Sequence, residues 1–303
     1  MKCKICSNDK ENQTYEAYEL MFRSGENFRY FQCSKCMCLQ IEEVPANMSK
    51  YYPDDYYSYN TINGDNKIKN FLLGLRNKYA VFGKGIIGKL ISYKYSNQAL
   101  ESLKLLQIKK STTILDVGCG AGTLLYRLRE LGLTNLLGID PFNEKDIQYK
   151  NGLVIEKRDI YNVEGKWDIV MFHHSFEHIH EPENVLRTVA SLLASEGHCI
   201  VRIPTSSSYA WKHYGVNWVQ LDAPRHLFLH SVESMKILSE RVGLDLWKVV
   251  YDSTSYQFSE SEAYARKEPP IFSKKEISAF SKRAKELNET EQGDQAVFYL
   301  RKL

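Results

Sequence analysis

Residues 116–122 read Asp-Val-Gly-Cys-Gly-Ala-Gly and join an apolar run at 113–117 to a segment with helical periodicity at 123–131. The apolar run predicts a strand, and Gly132 fits the end of the helix. Glycines between a strand and a helix let the backbone turn tightly and come close to a ligand. The pattern therefore predicts the first strand, loop and helix of a ligand-binding α/β sheet.

The rest of the C-terminal two-thirds alternates short apolar runs with amphipathic segments. Strands are predicted at residues 113–117, 135–139, 153–156, 167–172, 198–203, 245–251 and 295–300. Helices are predicted at residues 123–131, 182–194, 231–242 and 274–287. Strands separated by helices form a parallel sheet with helices on both faces. We therefore expect an α/β fold with a doubly wound, Rossmann-like sheet of seven strands.

The composition narrows the class of protein. The 303 residues are 43% apolar and 25% charged, which is ordinary for a soluble globular protein. A net charge of +3 disfavours a protein that binds nucleic acid over its whole surface. No segment is apolar and long enough to span a membrane, and the first residues do not resemble a signal peptide. We expect a cytoplasmic location.

The chain divides into three parts, residues 1–45, 46–110 and 111–303. Five of the seven cysteines lie in the first 38 residues, and four of them form the pairs Cys3-x-x-Cys6 and Cys33-x-x-Cys36. Two such pairs supply the four thiolates of a tetrahedral Zn²⁺ site in zinc ribbons. Four thiolates leave no open position on the metal, so we expect a structural zinc ion in a ribbon over residues 1–45.

The glycine loop has two candidate ligands. A dinucleotide-binding fold requires a third glycine where this chain has Thr123, and it would put Asp116 beside a pyrophosphate. S-adenosylmethionine carries a sulfonium and an ammonium instead, so the Asp116 carboxylate is favourable beside it. Asp140 follows the second strand, where a carboxylate can accept both ribose hydroxyls. Asp159 follows the third strand and can accept from the adenine amino group while Ile160 packs on the ring.

Three acids in successive loops, together with the glycines, resemble the class I S-adenosylmethionine-dependent methyltransferases over residues 111–303. The resemblance implies an enzyme with a methyltransferase sheet and S-adenosylmethionine as its cofactor. The residues that it implies for cofactor binding are Asp116, Gly118, Gly120, Asp140, Pro141, Asp159, Ile160 and His173.

The fourth strand runs into a histidine-rich loop, residues 173–180, which faces the transferred methyl group in class I enzymes. The Asn-Pro-Pro-Tyr motif of enzymes that methylate amide or exocyclic nitrogens is absent. The loop resembles the Glu-x-x-Glu-His motif of ubiquinone-pathway O-methyltransferases and small-RNA 3′-end methyltransferases, which can bind a divalent ion. Here His174 replaces the first Glu, which disfavours magnesium.

Three interpretations of this loop stay open. In the first, a histidine is the general base for a substrate hydroxyl. In the second, His174, Glu177 and His178 hold a metal ion that lowers the pKa of that hydroxyl. In the third, Glu177 and His178 are structural and fix the cofactor side of the loop.

A further candidate base lies in residues 220–231, which read Gln-Leu-Asp-Ala-Pro-Arg-His-Leu-Phe-Leu-His-Ser. The Pro-x-His-Leu segment resembles that of a broad methyltransferase family, many of whose members serve cell-surface polysaccharide or antibiotic-sugar pathways. His226 either acts on the substrate or caps a turn. Trp211, Tyr214 and Trp218 either stack on a sugar or fill the core. The zinc ribbon also resembles that of sugar C-methyltransferases, where we expect it to support the substrate side.

The middle part of the chain has two unusual features. A tyrosine-rich stretch at residues 51–59 forms either a lid over a sugar or an ordered linker. Between Asp65 and Glu101 there is no acid, but there are seven basic residues: Lys67, Lys69, Arg76, Lys78, Lys84, Lys89 and Lys94. They form a solvated helix face, or they recognise phosphate on a nucleotide-sugar, a lipid-linked glycan or a membrane surface. The solvated face is the interpretation that the sequence favours.

These observations predict methyl transfer from S-adenosylmethionine to a hydroxyl of a sugar or glycan intermediate, with a histidine as general base. The class of acceptor comes from the resemblance alone. C- or N-methylation of a nucleotide-linked sugar is the alternative among enzymes. A nucleic-acid-binding protein that uses the ribbon and the basic stretch is the alternative outside them. We expect a small-molecule acceptor and no nucleic-acid partner.

Overall fold

The computed structural model describes residues 1–52 and 67–302, so most of the tyrosine-rich stretch lies outside the described residues. The strands are β1 (Gln13–Tyr18), β2 (Asn27–Gln32), β3 (Leu39–Ile41), β4 (Ile114–Val117), β5 (Leu136–Ile139), β6 (Ile147–Gln148), β7 (Val154–Glu156), β8 (Trp167–His173), β9 (Leu193–Pro204), β10 (Phe228–Leu229), β11 (Leu244–Tyr251) and β12 (Gln295–Lys302). The α-helices are α1 (Lys67–Phe82), α2 (Ile86–Lys94), α3 (Gln98–Glu101), α4 (Thr123–Glu130), α5 (Pro182–Leu192), α6 (Tyr209–Tyr214), α7 (Val232–Arg241), α8 (Tyr256–Arg266) and α9 (Lys274–Glu289).

The central sheet has the order β11-β12-β9-β8-β4-β5-β7-β6. Strands β7, β5, β4, β8 and β9 run parallel to one another, and β12 lies antiparallel to both of its neighbours. This order confirms the prediction of a doubly wound α/β sheet. The sheet has one strand more than predicted, because the two-residue strand β6 is too short to leave a periodic pattern.

Alternating side chains of the central strands enter two hydrophobic cores, one on each face of the sheet. On β8, Val170 and Phe172 join one core, whereas Ile169 and Met171 join the other. Such double-sided burial explains why the strand reads as a continuous apolar run. The carboxyl ends of the parallel strands therefore meet at one edge, where the glycine loop and the histidine-rich loop begin.

The N-terminal sheet, in the order β1-β2-β3-β10, is small and antiparallel. Its fourth strand comes from the segment 220–231, since Phe228 pairs with Gln40 and Leu229 with Leu39. The Tyr30 hydroxyl donates to the His226 carbonyl oxygen at 2.8 Å. The N-terminal sheet is therefore built partly from the predicted 111–303 part of the chain and packs directly beside the segment that carries His226.

Helices α1 and α2 form a hairpin on the outside of the molecule. Ala80 and Val81 of α1 are buried in the core that also contains Leu125 and Leu128 of α4. Helix α2 packs on the outer side of α1 through Gly88, where a Cβ atom would lie only 2.2 Å from the Leu75 carbonyl oxygen. No helix among the described residues is long and apolar enough to cross a membrane.

Candidate active site

The glycine loop turns from β4 into α4 in a conformation that favours glycine. Gly118 has φ of +70° and Gly122 has φ of +75°, in the left-handed region that other residues rarely adopt. A Cβ atom on Gly118 would lie 2.5 Å from the Ser175 Cβ atom, so the glycine allows the histidine-rich loop to approach. Ser175 Oγ also donates to the Val117 carbonyl oxygen at 2.7 Å. The glycine loop and the histidine-rich loop therefore pack against each other and form one wall of the candidate active site.

Two buried carboxyl groups border the glycine loop. Asp140 accepts from the Gly120 amide at 2.8 Å and from the Phe142 amide at 2.9 Å. Asp116 is 3% exposed, and its Oδ1 accepts no hydrogen bond from the described part of the chain. Burial, reinforced by the Asp140 charge, raises the pKa of Asp116 well above its usual range. An unsatisfied buried oxygen of this kind can receive a cationic or donor group from a ligand.

The third acid lies at the same edge of the sheet, three residues after β7. Asp159 is exposed and caps a short turn by accepting from the Tyr161 amide at 3.0 Å. Ile160 beside it is 5% exposed. The Asp140 amide donates to the Glu156 carbonyl oxygen at 3.0 Å, which holds the second and third acidic loops side by side.

Glu177 lies at the centre of the histidine-rich loop and is fully buried. Neither of its carboxylate oxygens accepts a well-formed hydrogen bond from the residues that the structure describes. The nearest nitrogens are His174 Nδ1 at 3.5 Å and His226 Nε2 at 3.9 Å from Oε1. Burial favours the protonated acid, but the His174 contact and the charges of His178 and His226 outweigh it and lower the pKa of Glu177 to about 2.

Arg202 occupies one nitrogen of His174. Arg202 Nη1 lies 2.9 Å from His174 Nε2, and since an arginine only donates, this nitrogen is the acceptor. The proton of the neutral ring is then on Nδ1, which faces Glu177. Arg202 is itself held by Asp252 at 2.6 Å and by Gln98 at 3.2 Å.

His178 and His226 are oriented differently, by backbone carbonyl groups. His178 Nδ1 lies 2.8 Å from the Arg225 carbonyl oxygen, and His226 Nδ1 lies 2.7 Å from the Gln220 carbonyl oxygen. A carbonyl only accepts, so each Nδ1 carries a proton and each Nε2 keeps a lone pair when the ring is neutral. The rings contact each other edge to face at 4.9 Å, and Tyr52 Oη lies 3.2 Å from His178 Nδ1.

Glu177, His178 and His226 each offer a ligand atom within 4.8 Å of the other two. This set shares two residues with the metal set expected from the sequence, but His226 stands in place of His174. His173 belongs to neither set. Both of its ring nitrogens are buried without a hydrogen-bond partner among the described residues, and burial lowers its pKa well below the usual range.

Two residues around the site were not identified from the sequence. Arg202 orients His174, and Asp222 lies 3.8 Å from His226 Nε2. Tyr52, from the tyrosine-rich stretch noted in the sequence, contacts His178. The sequence did offer one signal for Arg202: it is a charged residue inside the apolar strand predicted at 198–203, and arginine is rarely buried without partners. Trp211 and Trp218 are 5% and 1% exposed and fill the core, so they offer no free face for a sugar.

The four N-terminal cysteines converge as expected from their spacing. Cys3 Sγ lies 3.6 Å from Cys36 Sγ, and Cys6 Sγ lies 3.4 Å from Cys33 Sγ. Sulfur ligands at about 2.3 Å from a tetrahedral zinc ion would be roughly 3.8 Å apart. The arrangement therefore fits a four-thiolate site with little movement.

Comparisons with known proteins identify the class of enzyme. A family model described as "Methyltransferase domain" matches residues 93–249, just over half of the chain, and the chain belongs to this family. None of the curated proteins compared with it matches. The protein is therefore a methyltransferase of class I that uses S-adenosylmethionine.

Solved structures that resemble the chain include other methyltransferases. An S-adenosylmethionine-dependent methyltransferase from Archaeoglobus fulgidus is 19% identical, with a TM-score of 0.45, and covers 71% of this chain and 99% of its own. A possible histamine N-methyltransferase from Thermotoga maritima is 18% identical, with a TM-score of 0.44, and covers 78% of this chain and 95% of its own. An S-adenosylmethionine-dependent methyltransferase from Mesorhizobium loti is 16% identical, with a TM-score of 0.41, and covers 63% of this chain and 91% of its own.

Proposed function

We propose that the enzyme transfers the methyl group of S-adenosylmethionine to a hydroxyl oxygen of a sugar or glycan intermediate. The observation that carries this proposal is the cluster of Glu177, His178 and His226 on the wall shared with the glycine loop. Such a cluster can take up the proton that a hydroxyl loses as it is methylated. The class of acceptor rests on the resemblance of segment 220–231 to methyltransferases of polysaccharide and sugar pathways.

The cofactor roles follow from the positions of the acids. Asp116 would receive the ammonium group of the methionine moiety, because its buried oxygen lacks a partner among the described residues. Asp140 would accept the ribose hydroxyls, and Asp159 would accept from the adenine amino group while Ile160 packs on the ring. Gly118 and Gly120 would let the backbone approach the cofactor, with Pro141 and His173 completing its surroundings.

We assign the role of general base to His178. It belongs to the histidine-rich loop, which contacts the glycine loop through Ser175. Its Nδ1 proton is fixed on the Arg225 carbonyl, so Nε2 is the nitrogen that can accept a proton. Glu177 would stabilise the resulting imidazolium, and His174 would position Glu177, since Arg202 occupies its Nε2 and its Nδ1 faces Glu177 at 3.5 Å.

The reaction is an in-line displacement. The acceptor oxygen forms a bond to the methyl carbon as the bond from that carbon to sulfur breaks, so that the sulfonium becomes a neutral thioether. The hydroxyl proton moves to His178. Alignment of the two reactants in a water-poor site supplies much of the rate enhancement in reactions of this kind.

A metal-assisted version of the same reaction is a second candidate. Two observations favour it. The Glu177 oxygens accept no hydrogen bond from the described residues, and the Nδ1 protons of His178 and His226 are fixed on carbonyls, as ligating histidines commonly donate their other nitrogen to a carbonyl. Glu177, His178 and His226 would then hold a divalent ion that lowers the pKa of the hydroxyl. Activity that survives a chelator in zinc-replete protein would favour the histidine base, and loss that one added metal restores would favour the ion.

We also propose that Cys3, Cys6, Cys33 and Cys36 hold a structural zinc ion, and that the ribbon over residues 1–45 braces the substrate side. The contact of Tyr30 with the His226 backbone supports this role. Residues 46–110 would then be a linker and helical cover, and residues 111–303 the methyltransferase domain.

The experiment that tests the proposed function is a screen of nucleotide-sugars and glycan intermediates with methyl-labelled S-adenosylmethionine. We expect label on an oxygen of at least one acceptor. Label on carbon or nitrogen would support the alternative chemistry. Salt-dependent binding of random RNA or DNA, tighter than binding of S-adenosylmethionine, would support the nucleic-acid alternative.

A further inference from the structure

The outer face of the α1–α2 hairpin is apolar, although it faces solvent. On α2, Ile86, Ile87, Leu90 and Tyr93 are 81%, 59%, 69% and 96% exposed. Their spacing places them on one side of the helix, opposite Gly88 and Ser92, which are buried against α1. The large apolar residues of α2 thus point away from the protein, which is the reverse of an ordinary surface helix.

The patch extends onto α1 and is concentrated in this part of the molecule. Ile68, Phe71 and Leu72 in the first turns of α1 are 75%, 66% and 43% exposed. With Tyr95, eight of the twenty exposed large apolar side chains of the described residues lie between positions 68 and 95. Exposed apolar residues that are scattered singly need no explanation, but a group concentrated on one helical hairpin points to an interaction surface.

The charge around the patch is mainly positive. Lys78, Lys84, Lys89 and Lys94 are exposed and form no ion pair with any carboxylate that the structure describes. No acidic residue occurs between Asp65 and Glu101. Lys89 and Lys94 lie on the same side of α2 as the apolar residues, where their ammonium groups can reach outward past them.

We propose that the α1–α2 hairpin docks on the surface of an anionic phospholipid bilayer. Apolar side chains would enter the boundary between headgroups and acyl chains, and the lysines would contact the anionic headgroups. A second copy of the chain fits this face less well. In a twofold-symmetric dimer the same patch meets itself, which would set the exposed lysines of one copy against those of the other.

The segment that follows this hairpin contacts a residue of the active site. Four residues after α2 ends, Gln98 begins α3 and accepts from Arg202, which in turn contacts His174. The hairpin is thus followed in the chain by a helix whose first residue contacts Arg202, the residue that orients His174. This surface role goes beyond the proposed methyl transfer and does not depend on the identity of the acceptor.

Vesicle flotation of the full-length, zinc-replete protein tests the proposal. The vesicles are phosphatidylcholine alone or phosphatidylcholine with one third phosphatidylglycerol. We expect binding to the anionic vesicles, weak binding to the neutral ones, and weakening as salt rises above ~0.1 M. No binding to anionic vesicles at low salt would overturn the proposal.

Two sets of substitutions separate the apolar and charged contributions. The double change Ile87→Ser and Leu90→Ser should weaken partitioning at least tenfold, with Ile271→Ser as the control because Ile271 is 84% exposed outside the patch. The triple change of Lys84, Lys89 and Lys94 to Gln should weaken it roughly 100-fold, from about 1 kcal/mol for each lysine near the surface. The control is Lys274, Lys275 and Lys282 to Gln on α9, which removes the same charge elsewhere.

The controls also define the contrary outcomes. None of these residues lies in the proposed catalytic or cofactor site, so all variants should keep their cofactor binding and melting temperature. Equal loss with the α9 triple change would mean non-specific charge attraction and would overturn the proposal. A dimer that Leu90→Ser dissociates in sedimentation, together with no binding to vesicles, would also overturn it. RNA binding that the lysine changes abolish and the apolar changes leave intact would point to a nucleic acid instead.

Discussion

Replacement of Asp116 with Asn should change cofactor binding and protein stability in opposite directions. Asp116 is buried beside Asp140, which raises its pKa well above the usual range in the unliganded protein. The folded state therefore holds the proton of Asp116 more firmly than the unfolded chain does. By linkage, this group destabilises the unliganded fold increasingly as pH rises from its unfolded pKa through its raised folded pKa.

Asparagine does not ionise, so the substitution removes this destabilisation of the fold. The unliganded Asp116→Asn protein should therefore unfold at higher urea concentration than wild type above neutral pH. The cofactor should nevertheless bind more weakly, because its ammonium loses a charge-assisted hydrogen bond. Such bonds contribute about 1.5–3 kcal/mol, which corresponds to a roughly 10- to 150-fold higher Kd.

Calorimetry in buffers of different ionisation heat provides a further check. A cation beside Asp116 favours its ionised form, so wild type should release a proton on binding S-adenosylmethionine, and its affinity should rise with pH. The Asp116→Asn variant should release a smaller fraction of a proton on binding. The control is Asp245→Asn, which removes a surface carboxylate paired with Arg301. A variant that loses stability and keeps wild-type affinity would refute the assignment of Asp116 to the cofactor.

The remaining predictions concern catalysis, packing and zinc. His178→Ala should lower kcat about 10²–10⁴-fold and remove the acidic limb of the pH profile, while the Kd for S-adenosylhomocysteine stays near wild type; unchanged turnover would exclude His178 as the base. Glu177→Gln should lower kcat while the Kd for S-adenosylhomocysteine stays near wild type, because an imidazolium formed at His178 loses a nearby carboxylate; unchanged kcat would contradict this role. Arg225→Met should cost about 3–5 kcal/mol in urea unfolding, since it leaves buried Glu19 without its cationic partner; Arg187→Met, at an exposed pair, should cost under about 1 kcal/mol, and equal losses would refute the reasoning. Cys33→Ser should lose the zinc measured by atomic absorption and lower the melting temperature, whereas a protein isolated without zinc and equally stable would contradict the ribbon.

The central sheet was largely predictable because its evidence is local. The strands that hold the glycine loop and the three acids are short, buried on both faces and apolar, so their residues indicate them directly. Helix α8 was missed for the opposite reason. Its buried side includes Gln257, Ser259 and Ser261, so the apolar periodicity that normally marks a helix is absent.

The arrangement of the active site was less predictable because it depends on contacts between distant segments. Nothing in residues 173–180 indicates that Arg202 occupies His174, which leaves that histidine a positioning role in our proposal. The approach of His226 to Glu177 requires the segment 220–231 to fold back and to contribute strand β10 to the N-terminal sheet. Such pairings depend on tertiary packing, which a single sequence records only weakly.

The measurement that tests the proposed methyl transfer most directly follows a ¹³C-labelled methyl group from S-adenosylmethionine into the acceptor by NMR. We predict that the methyl signal of the product is that of a carbon bonded to oxygen, and that one S-adenosylhomocysteine forms for each methyl transferred. We also predict that His178→Ala slows the appearance of this signal at least about 100-fold without abolishing cofactor binding. A methyl signal on carbon or nitrogen, or full transfer by the His178→Ala protein, would contradict the proposed reaction.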